Sequence, residues 1–217
     1  MSLFITFEGP EGSGKTTQVK RLAERLQERG CDVLTVREPG GTSVSEQIRE
    51  VLHALDNRDM QPRTEILLYC AARAQLVGQV IRPHLQSGGI VICDRYADST
   101  LAYQGYGRGL DLPVLRMILD FATGGLKPDI TFYLDIDVES GLKRKRAGGD
   151  EWNRMDDLAV DFHCRVRAGY LEMIAQEPVR WVVVDAARDT EIVAKEIWET
   201  TERQLASNAK RQRAFDV

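Results

Sequence analysis

The stretch at 9–16, Gly-Pro-Glu-Gly-Ser-Gly-Lys-Thr, constrains this chain more than any other feature. It matches G-x-x-x-x-G-K-[ST] and lies between an apolar run and an amphipathic helical pattern, as a phosphate-binding loop (P-loop) does. Glycines let backbone N–H groups turn towards phosphate oxygens, and the N-terminus of the following helix favours anions. Lys15 is expected to reach the β- and γ-phosphates, and the Thr16 hydroxyl is expected to bind Mg²⁺. The residues alone therefore predict binding of a nucleoside triphosphate with Mg²⁺.

The predicted triphosphate-binding residues of the loop are Gly9, Pro10, Glu11, Gly12, Ser13, Gly14, Lys15, Thr16 and Thr17. A dinucleotide-binding loop is excluded because no third glycine follows Gly14 at the required spacing. A carboxylate at the end of a buried strand can hold the metal's water shell, and Asp94 ends such a run. Asp135 and Asp137 end another apolar run and compete with Asp94 for this role.

Five short apolar runs alternate with helical patterns along the chain. Because their hydrophobicity is nearly continuous, they predict strands buried on both faces of a parallel sheet. These predicted strands are Leu3–Phe7, Val33–Val36, Ile90–Cys93, Ile130–Leu134 and Trp181–Val184. Helices are predicted around Val19–Leu26 and near 45–55, 64–86, 112–123, 138–146, 157–176 and 190–206, with loops at 56–63, 104–111 and 146–155. The alternation predicts an α/β fold, a five-stranded parallel sheet flanked by helices on both faces.

Length and composition narrow the class of protein further. The 217 residues predict a single domain, 1–217, with a frayed tail at about 207–217. A net charge of −4 gives no positive field for nucleic acid or an anionic membrane, and no apolar run approaches a membrane span. Four cysteines without paired spacing predict neither a disulfide framework nor a zinc site. We therefore expect a cytoplasmic protein without nucleic-acid or membrane partners.

The remaining motifs favour a small phosphotransferase over other P-loop proteins. The chain has no N-K-x-D guanine motif and no D-x-x-G switch motif after the early strands. A basic run at 143–146 precedes Gly148-Gly149, and Arg154 follows. This spacing is consistent with a mobile lid at about 143–156 that closes over phosphates, although a solvated helix end would explain the run as well. For Tyr69 and Arg73, four residues apart, spacing alone favours an exposed aromatic–arginine pair.

Five ordered motifs resemble the thymidylate kinase family from Phe4 to about Val193. They lie at 7–18, 37–42, 67–75, 94–105 and 154–156, and include Asp94-Arg-Tyr and Ala102-Tyr-Gln-Gly105. The resemblance implies the P-loop nucleotide kinase fold and transfer of the ATP γ-phosphoryl to dTMP, giving dTDP and ADP with Mg²⁺. Two alternatives stay open: another nucleoside monophosphate or deoxynucleoside kinase, and a non-catalytic nucleotide-binding regulatory module.

The resemblance also implies a dTMP-binding pocket. Tyr69 would stack on thymine, Arg73 would bind its carbonyl, and Tyr103 would crowd the sugar 2′ position. Arg95 would hold the acceptor phosphate. The full implied set is Arg37, Glu38, Pro39, Arg49, Tyr69, Arg73, Arg95, Ser99, Thr100, Tyr103 and Gln104.

Further implications concern catalysis and assembly. Glu11 would meet the acceptor's 3′-hydroxyl and neighbouring cations. The loop lacks an arginine, as in the bacterial branch, where lid arginines supply the charge; Arg144 is a candidate at the ATP side. The implied catalytic residues are Lys15, Glu11, Arg95, Arg146 and Arg154, with Arg154 favoured over Arg146 for the transferring phosphoryl. The resemblance further implies a homodimer packed through helices from the middle of the chain.

Overall fold

The computed structural model describes residues 2–148 and 153–215, with side chains described up to residue 207. Its strands are β1 Leu3–Glu8, β2 Val33–Arg37, β3 Ile90–Asp94, β4 Ile130–Asp135 and β5 Trp181–Asp185. Its α-helices are α1 Lys15–Glu28, α2 Ser43–His53, α3 Pro62–Leu76, α4 Arg82–Gln86, α5 Ala97–Thr100, α6 Leu112–Thr123, α7 Val138–Ala147, α8 Val160–Gln176 and α9 Thr190–Phe215. Two π-helical segments, Val77–Ile81 and Leu101–Gly107, continue α3 and α5.

The five strands form one parallel sheet in the order β2-β3-β1-β4-β5. β1 is central, with Phe7 opposite Asp94 of β3 and Phe132 of β4. The loops that follow β1 and β3 therefore lie side by side at the carboxyl edge of the sheet. In open α/β sheets this edge, where the strand order reverses, is where ligands bind.

Alternate residues of β1 point to opposite faces of the sheet, and each face is covered by helices. Leu3 and Ile5 pack with α1 and α9, where Leu26 and Ile197 are buried. Phe4 on the opposite face packs with the α3–α4 region. α8 and the Leu101–Gly107 segment cover the β4 side of that face. These layers confirm the predicted α/β fold.

Strand predictions are confirmed to within one residue at each end, but the predicted loop at 104–111 is wrong in its first half. The π-helical segment runs to Gly107, with a bond from the Arg108 N–H to the Tyr103 carbonyl at 3.0 Å. Gly107 favours a turn in sequence, yet a Cβ there would lie 2.6 Å from the Phe162 ring. This glycine serves close packing between helices, which sequence alone does not distinguish from a turn.

Two other predictions include residues that the structure does not describe. The predicted lid at about 143–156 includes residues 149–152, and the predicted frayed tail at about 207–217 includes residues 216–217. Residues 149–152 and 216–217 lie outside the described residues. α9 continues to Phe215, nine residues past its predicted end near 206. Within the described ranges, no helix is long and apolar enough to cross a membrane.

Candidate active site

The P-loop joins β1 to α1, as its sequence predicts. The Lys15 ammonium lies under the loop, donating to the carbonyls of Pro10 and Gly9 at 2.8 and 3.2 Å and to the Ser13 hydroxyl at 3.2 Å. Burial, followed by the neighbouring Arg95 guanidinium, lowers the pKa of Lys15 to about 8. Hydrogen bonds thus hold Lys15 within the loop that is predicted to bind the phosphates.

Asp94 lies beside the P-loop, whereas its two competitors are engaged elsewhere. The Thr16 hydroxyl donates to Asp94 Oδ2 at 2.6 Å. Asp135 instead accepts two bonds from Arg167, at 2.7 and 2.8 Å, and Asp137 caps the N-terminus of α7. Hard oxygen ligands suit Mg²⁺, which keeps several waters and usually binds through one or two protein groups plus phosphates. Thr16 and Asp94 fit such a site.

A cavity of about 440 Å³ extends from the P-loop along the carboxyl edge of the sheet. Its lining brings together residues predicted for both substrates. The predicted residues that line it are Glu11, Gly12, Gly14, Lys15, Thr16, Thr17, Arg37, Glu38, Pro39, Arg49, Tyr69, Arg73, Asp94, Arg95, Ser99, Thr100, Tyr103 and Gln104. One continuous space therefore joins the predicted donor and acceptor sites.

Glu11 lies where the predicted donor site meets the predicted acceptor site. Its Oε1 accepts from Arg95 Nη2 at 2.6 Å and from the Tyr103 hydroxyl at 2.8 Å. Although burial acts in the opposite direction, the positive charges of Arg95, Lys15 and Lys145 hold the pKa of Glu11 well below its usual range. Arg95 has φ +70°, a strained conformation for a non-glycine residue, and strain of this kind is found at functional sites.

At the other end of the cavity, the Arg73 guanidinium is held by three hydrogen-bond partners. It is 2% exposed and donates to Glu38 at 2.6 Å, to the Thr100 hydroxyl at 3.0 Å and to the Tyr96 carbonyl at 3.1 Å. Tyr69, one helical turn earlier on α3, is half-buried at the cavity wall. The structure thus places Tyr69 and Arg73 together in the cavity, which excludes the exposed pair that spacing alone favours.

Behind this pocket, the buried carboxylate of Glu65 accepts hydrogen bonds from three side chains. It accepts from Gln104 at 2.8 Å, from Arg108 at 3.0 Å and from Arg154 at 2.6 Å. Arg154 also donates to the Leu52 carbonyl at 3.1 Å and does not line the cavity. In this arrangement the Arg154 guanidinium holds Glu65. A contact of Arg154 with the transferring phosphoryl stays a prediction.

Of the other predicted arginines, two line the cavity and two do not. Arg37 and Arg49 both donate to the Pro39 carbonyl, at 3.2 and 3.0 Å. Arg144 donates to the Ala186 carbonyl at 2.7 Å, tying α7 to the turn after β5. Arg146 is exposed near the end of α7. Neither lid arginine lines the cavity.

Several site residues were missed by sequence reasoning. The cavity is also lined by His53, Lys145, Asn153 and Met155. Lys145 belongs to the basic run that suggested a lid, so a signal for it existed. Two buried carboxylates, Glu8 and Glu65, hold groups of the site through partners distant in sequence, which no local pattern reveals.

Comparison with known proteins agrees with this geometry. A family model described as thymidylate kinase matches residues 7–197. Among curated proteins, thymidylate kinase of Roseiflexus sp. (strain RS-1) is 55% identical over 218 residues, covering 95% of this chain and 96% of that protein. Thymidylate kinase of Deinococcus radiodurans is 51% identical, covering 90% and 94%. The crystal structure of thymidylate kinase from Ehrlichia chaffeensis is 34% identical with a TM-score of 0.77, covering 92% and 98%. The P-loop, the cavity and these matches together show that the chain belongs to the thymidylate kinase family.

Proposed function

We propose that this protein transfers the γ-phosphoryl group of ATP to dTMP, giving dTDP and ADP. The observation that carries the proposal is the single cavity that joins Lys15 of the P-loop to Tyr69 and Arg73 of the acceptor pocket. Such a reaction needs both phosphates in line, with little covalent chemistry from the protein. The two curated relatives bear the name of this activity.

The proposed acceptor site uses groups that are already fixed before substrate arrives. The Tyr69 ring provides a face for thymine, and Arg73, held by Glu38, presents a guanidinium edge to a base carbonyl. Thr100 and Gln104 face the base edge, and Tyr103 limits space beside the sugar. Arg95, itself held by Glu11, aligns the acceptor phosphate. Rigid groups of this kind reduce the entropy lost on binding.

At the donor site, Lys15 and the loop N–H groups hold the ATP phosphates. Mg²⁺, held through Thr16 and Asp94, would neutralise charge on the phosphates. No described cluster of three or more His, Cys, Asp or Glu could bind a metal alone, consistent with a metal held jointly with phosphates. Arg144 and Arg146 of α7 would add positive charge from the lid.

Two further properties belong to the proposal. A homodimer is supported by exposed apolar side chains on α3 and α6, namely Leu67, Val114, Met117 and Phe121. A cytoplasmic location is supported by the cysteines, since all four are free thiols.

The proposal is tested by Lys15→Ala, measured as dTDP formation from ATP and dTMP by chromatography. We expect the rate to fall by about a hundredfold or more, because a buried cation that faces developing charge is lost. Unchanged far-ultraviolet circular dichroism is the control for folding. A well-folded Lys15→Ala protein with full activity would contradict the proposed role of the P-loop.

A further inference from the structure

Lys145, on α7, carries an ammonium group enclosed by two carboxylates. Its Nζ lies 3.1 Å from Glu11 Oε2 and 2.7 and 2.8 Å from the two oxygens of Asp156. The Lys145 side chain is 11% exposed and that of Asp156 is fully buried. Lys145 also lines the cavity. The Lys145 ammonium therefore lies between two carboxylates inside the candidate site, where it can act on the groups around it.

The packing of α7 explains how this ammonium reaches Glu11. Gly141 lies one turn before Lys145 on the same helix face. A Cβ on Gly141 would lie 2.3 Å from the Glu11 carbonyl, and one on Gly12 would lie 1.9 Å from the Gly141 carbonyl. The two backbones therefore touch, and this close approach fixes the distance from the helix to the loop.

Glu11 is held from two sides by different elements. Oε1 faces Arg95 and Tyr103 on the acceptor side, whereas Oε2 accepts from Lys145. Asp156 in turn accepts from Lys145 and from the Asn153 backbone N–H at 2.9 Å, so it anchors the ammonium. Rotation of the Glu11 carboxylate is thereby restricted at both oxygens.

We propose that Lys145 is a positioning residue for phosphoryl transfer, which with Asp156 fixes the Glu11 carboxylate between the P-loop and the acceptor pocket. The inference rests on the proposed function, because Glu11 acts there on the acceptor side. It concerns a lysine, not one of the arginines that the resemblance implies. Misplacement of a group at a reacting centre by about 1 Å can cost a hundredfold in rate.

The charges around Glu11 predict a specific change in pH dependence when Lys145 is replaced. The charged and titratable groups that face Glu11 are Lys15 of α1, His53 of α2, Tyr69 of α3, Arg95 after β3, Tyr103, Lys145 of α7, Asp156 and His163 of α8. Burial, then nearby cations, lowers the pKa of His53 to about 3, and burial also lowers that of His163, so both are neutral at pH 7. Burial and the Glu11 charge raise the pKa of Asp156. Without Lys145, two carboxylates would face each other and one would take up a proton more readily.

The test compares Lys145→Met, Asp156→Asn, the double variant and Lys143→Met. Lys143→Met is the matched control, because it removes the same charge from an exposed position of the same helix that does not line the cavity. Steady-state rates are measured with ATP and dTMP across pH. For Lys145→Met we expect kcat to fall about tenfold or more, KM for ATP to change by less than about threefold, and the acid limb of kcat to move to higher pH. Lys145→Arg keeps the charge and should restore most of kcat.

The double variant distinguishes positioning from a structural effect. Because Asp156→Asn removes the second carboxylate, it should return the acid limb of the Lys145→Met protein to its wild-type position. An unmoved acid limb in Lys145→Met, or a kcat equal to that of Lys143→Met, would overturn the inference. If Lys145→Met does not fold, Lys145→Gln takes its place in the same comparison.

A second measurement separates this inference from the proposed function. If the wild-type protein makes no dTDP, the proposed function fails, and the coupling is judged from thermal unfolding. Lys145→Met should then lower Tm more at about pH 8 than at about pH 5.5, because both acids are ionised at the higher pH, and Asp156→Asn should remove that difference. Equal losses at both pH values would overturn the coupling itself.

Discussion

Several buried charged residues in this protein form ion pairs that orient groups facing the cavity. Glu38 holds Arg73, and Arg154 with Arg108 holds Glu65. Loss of one partner from a buried pair costs about 3–5 kcal/mol, since the other charge stays buried without compensation. We therefore expect substitutions at these residues to lower stability as well as to disturb the groups that face the cavity.

Glu8 is a buried residue whose ionisation is coupled to stability. Its buried carboxylate accepts from the Tyr96 N–H at 2.8 Å, from Ser99 at 2.5 Å and from Tyr170 at 2.7 Å. Burial, followed by the Asp98 charge, raises the pKa of Glu8 to about 7. The folded protein then binds more protons than the unfolded chain between its ordinary pKa of 4.5 and about 7.

The free energy of unfolding should therefore fall as pH rises through this window. A difference of one pKa unit between the folded and unfolded states corresponds to about 1.4 kcal/mol. We expect Glu8→Gln to flatten the dependence between about pH 5 and pH 7, measured by urea unfolding at each pH. A wild-type curve that rises steadily over that range, or a variant with the same slope as the wild type, would contradict this reading of Glu8.

At the residue scale, sequence reasoning identified candidate site residues where the signal is local. Lys15 and Thr16 follow from motif spacing within one loop. Tyr69 and Arg73 required the family resemblance, because spacing alone favoured an exposed pair. Lys145 and Glu65 were missed because their partners are distant in sequence: Glu11 is 134 residues from Lys145, and Arg154 is 89 residues from Glu65.

At the scale of elements, the strands were predictable and the π-helical segment was not. β1, β3 and β4 lie inside the sheet and are buried along almost their whole length, so their apolar runs are nearly continuous. The edge strands β2 and β5 are only partly buried, so the predicted burial on both faces is wrong for these two strands. The Leu101–Gly107 segment carries two glycines that favour a loop. Its helical form depends on packing against α8, and this tertiary contact outweighs local preference.

The contact between α7 and the P-loop gives a prediction for Gly141→Ala. Alanine favours a helix over glycine by about 1 kcal/mol, so propensity alone predicts stabilisation. The clash with the Glu11 carbonyl at 2.3 Å should outweigh this gain, lower Tm and reduce turnover.

Gly78→Ala is the matched control, since a Cβ there meets nothing within 4 Å. It should leave Tm unchanged or raise it slightly. Both variants can be followed by differential scanning calorimetry and by dTDP formation. Equal behaviour of the two substitutions would show that α7 does not press on the loop.

At the scale of the whole molecule, the apolar surface on α6 is the feature that an isolated chain does not explain. Val114, Met117 and Phe121 recur at helical spacing, and Phe121 is 89% exposed. Contiguous exposed apolar surface of this kind is typical of protein–protein interfaces. It supports the proposed homodimer.

Phe121→Glu should therefore convert the protein to a monomer, because a carboxylate buried in an apolar interface is costly. Size-exclusion chromatography with light scattering measures the mass directly. Val179→Glu, at a fully exposed position distant in sequence, is the matched control and should leave the dimer intact. A wild-type monomer, or a Phe121→Glu dimer of unchanged affinity, would contradict this assignment of the interface.

The proposed function requires one cavity that joins an ATP site to a pocket for dTMP. It is tested most directly by ADP release from ATP with Mg²⁺ and a panel of acceptors: dTMP, dUMP, UMP, CMP, AMP and GMP. We predict a strong rate with dTMP, a weaker rate with dUMP and almost none with the others, because in the proposed site Tyr69 and Arg73 would face the base and Tyr103 would face the sugar. An equal rate with every acceptor, or no acceptor-dependent release, would contradict the assignment of the acceptor pocket.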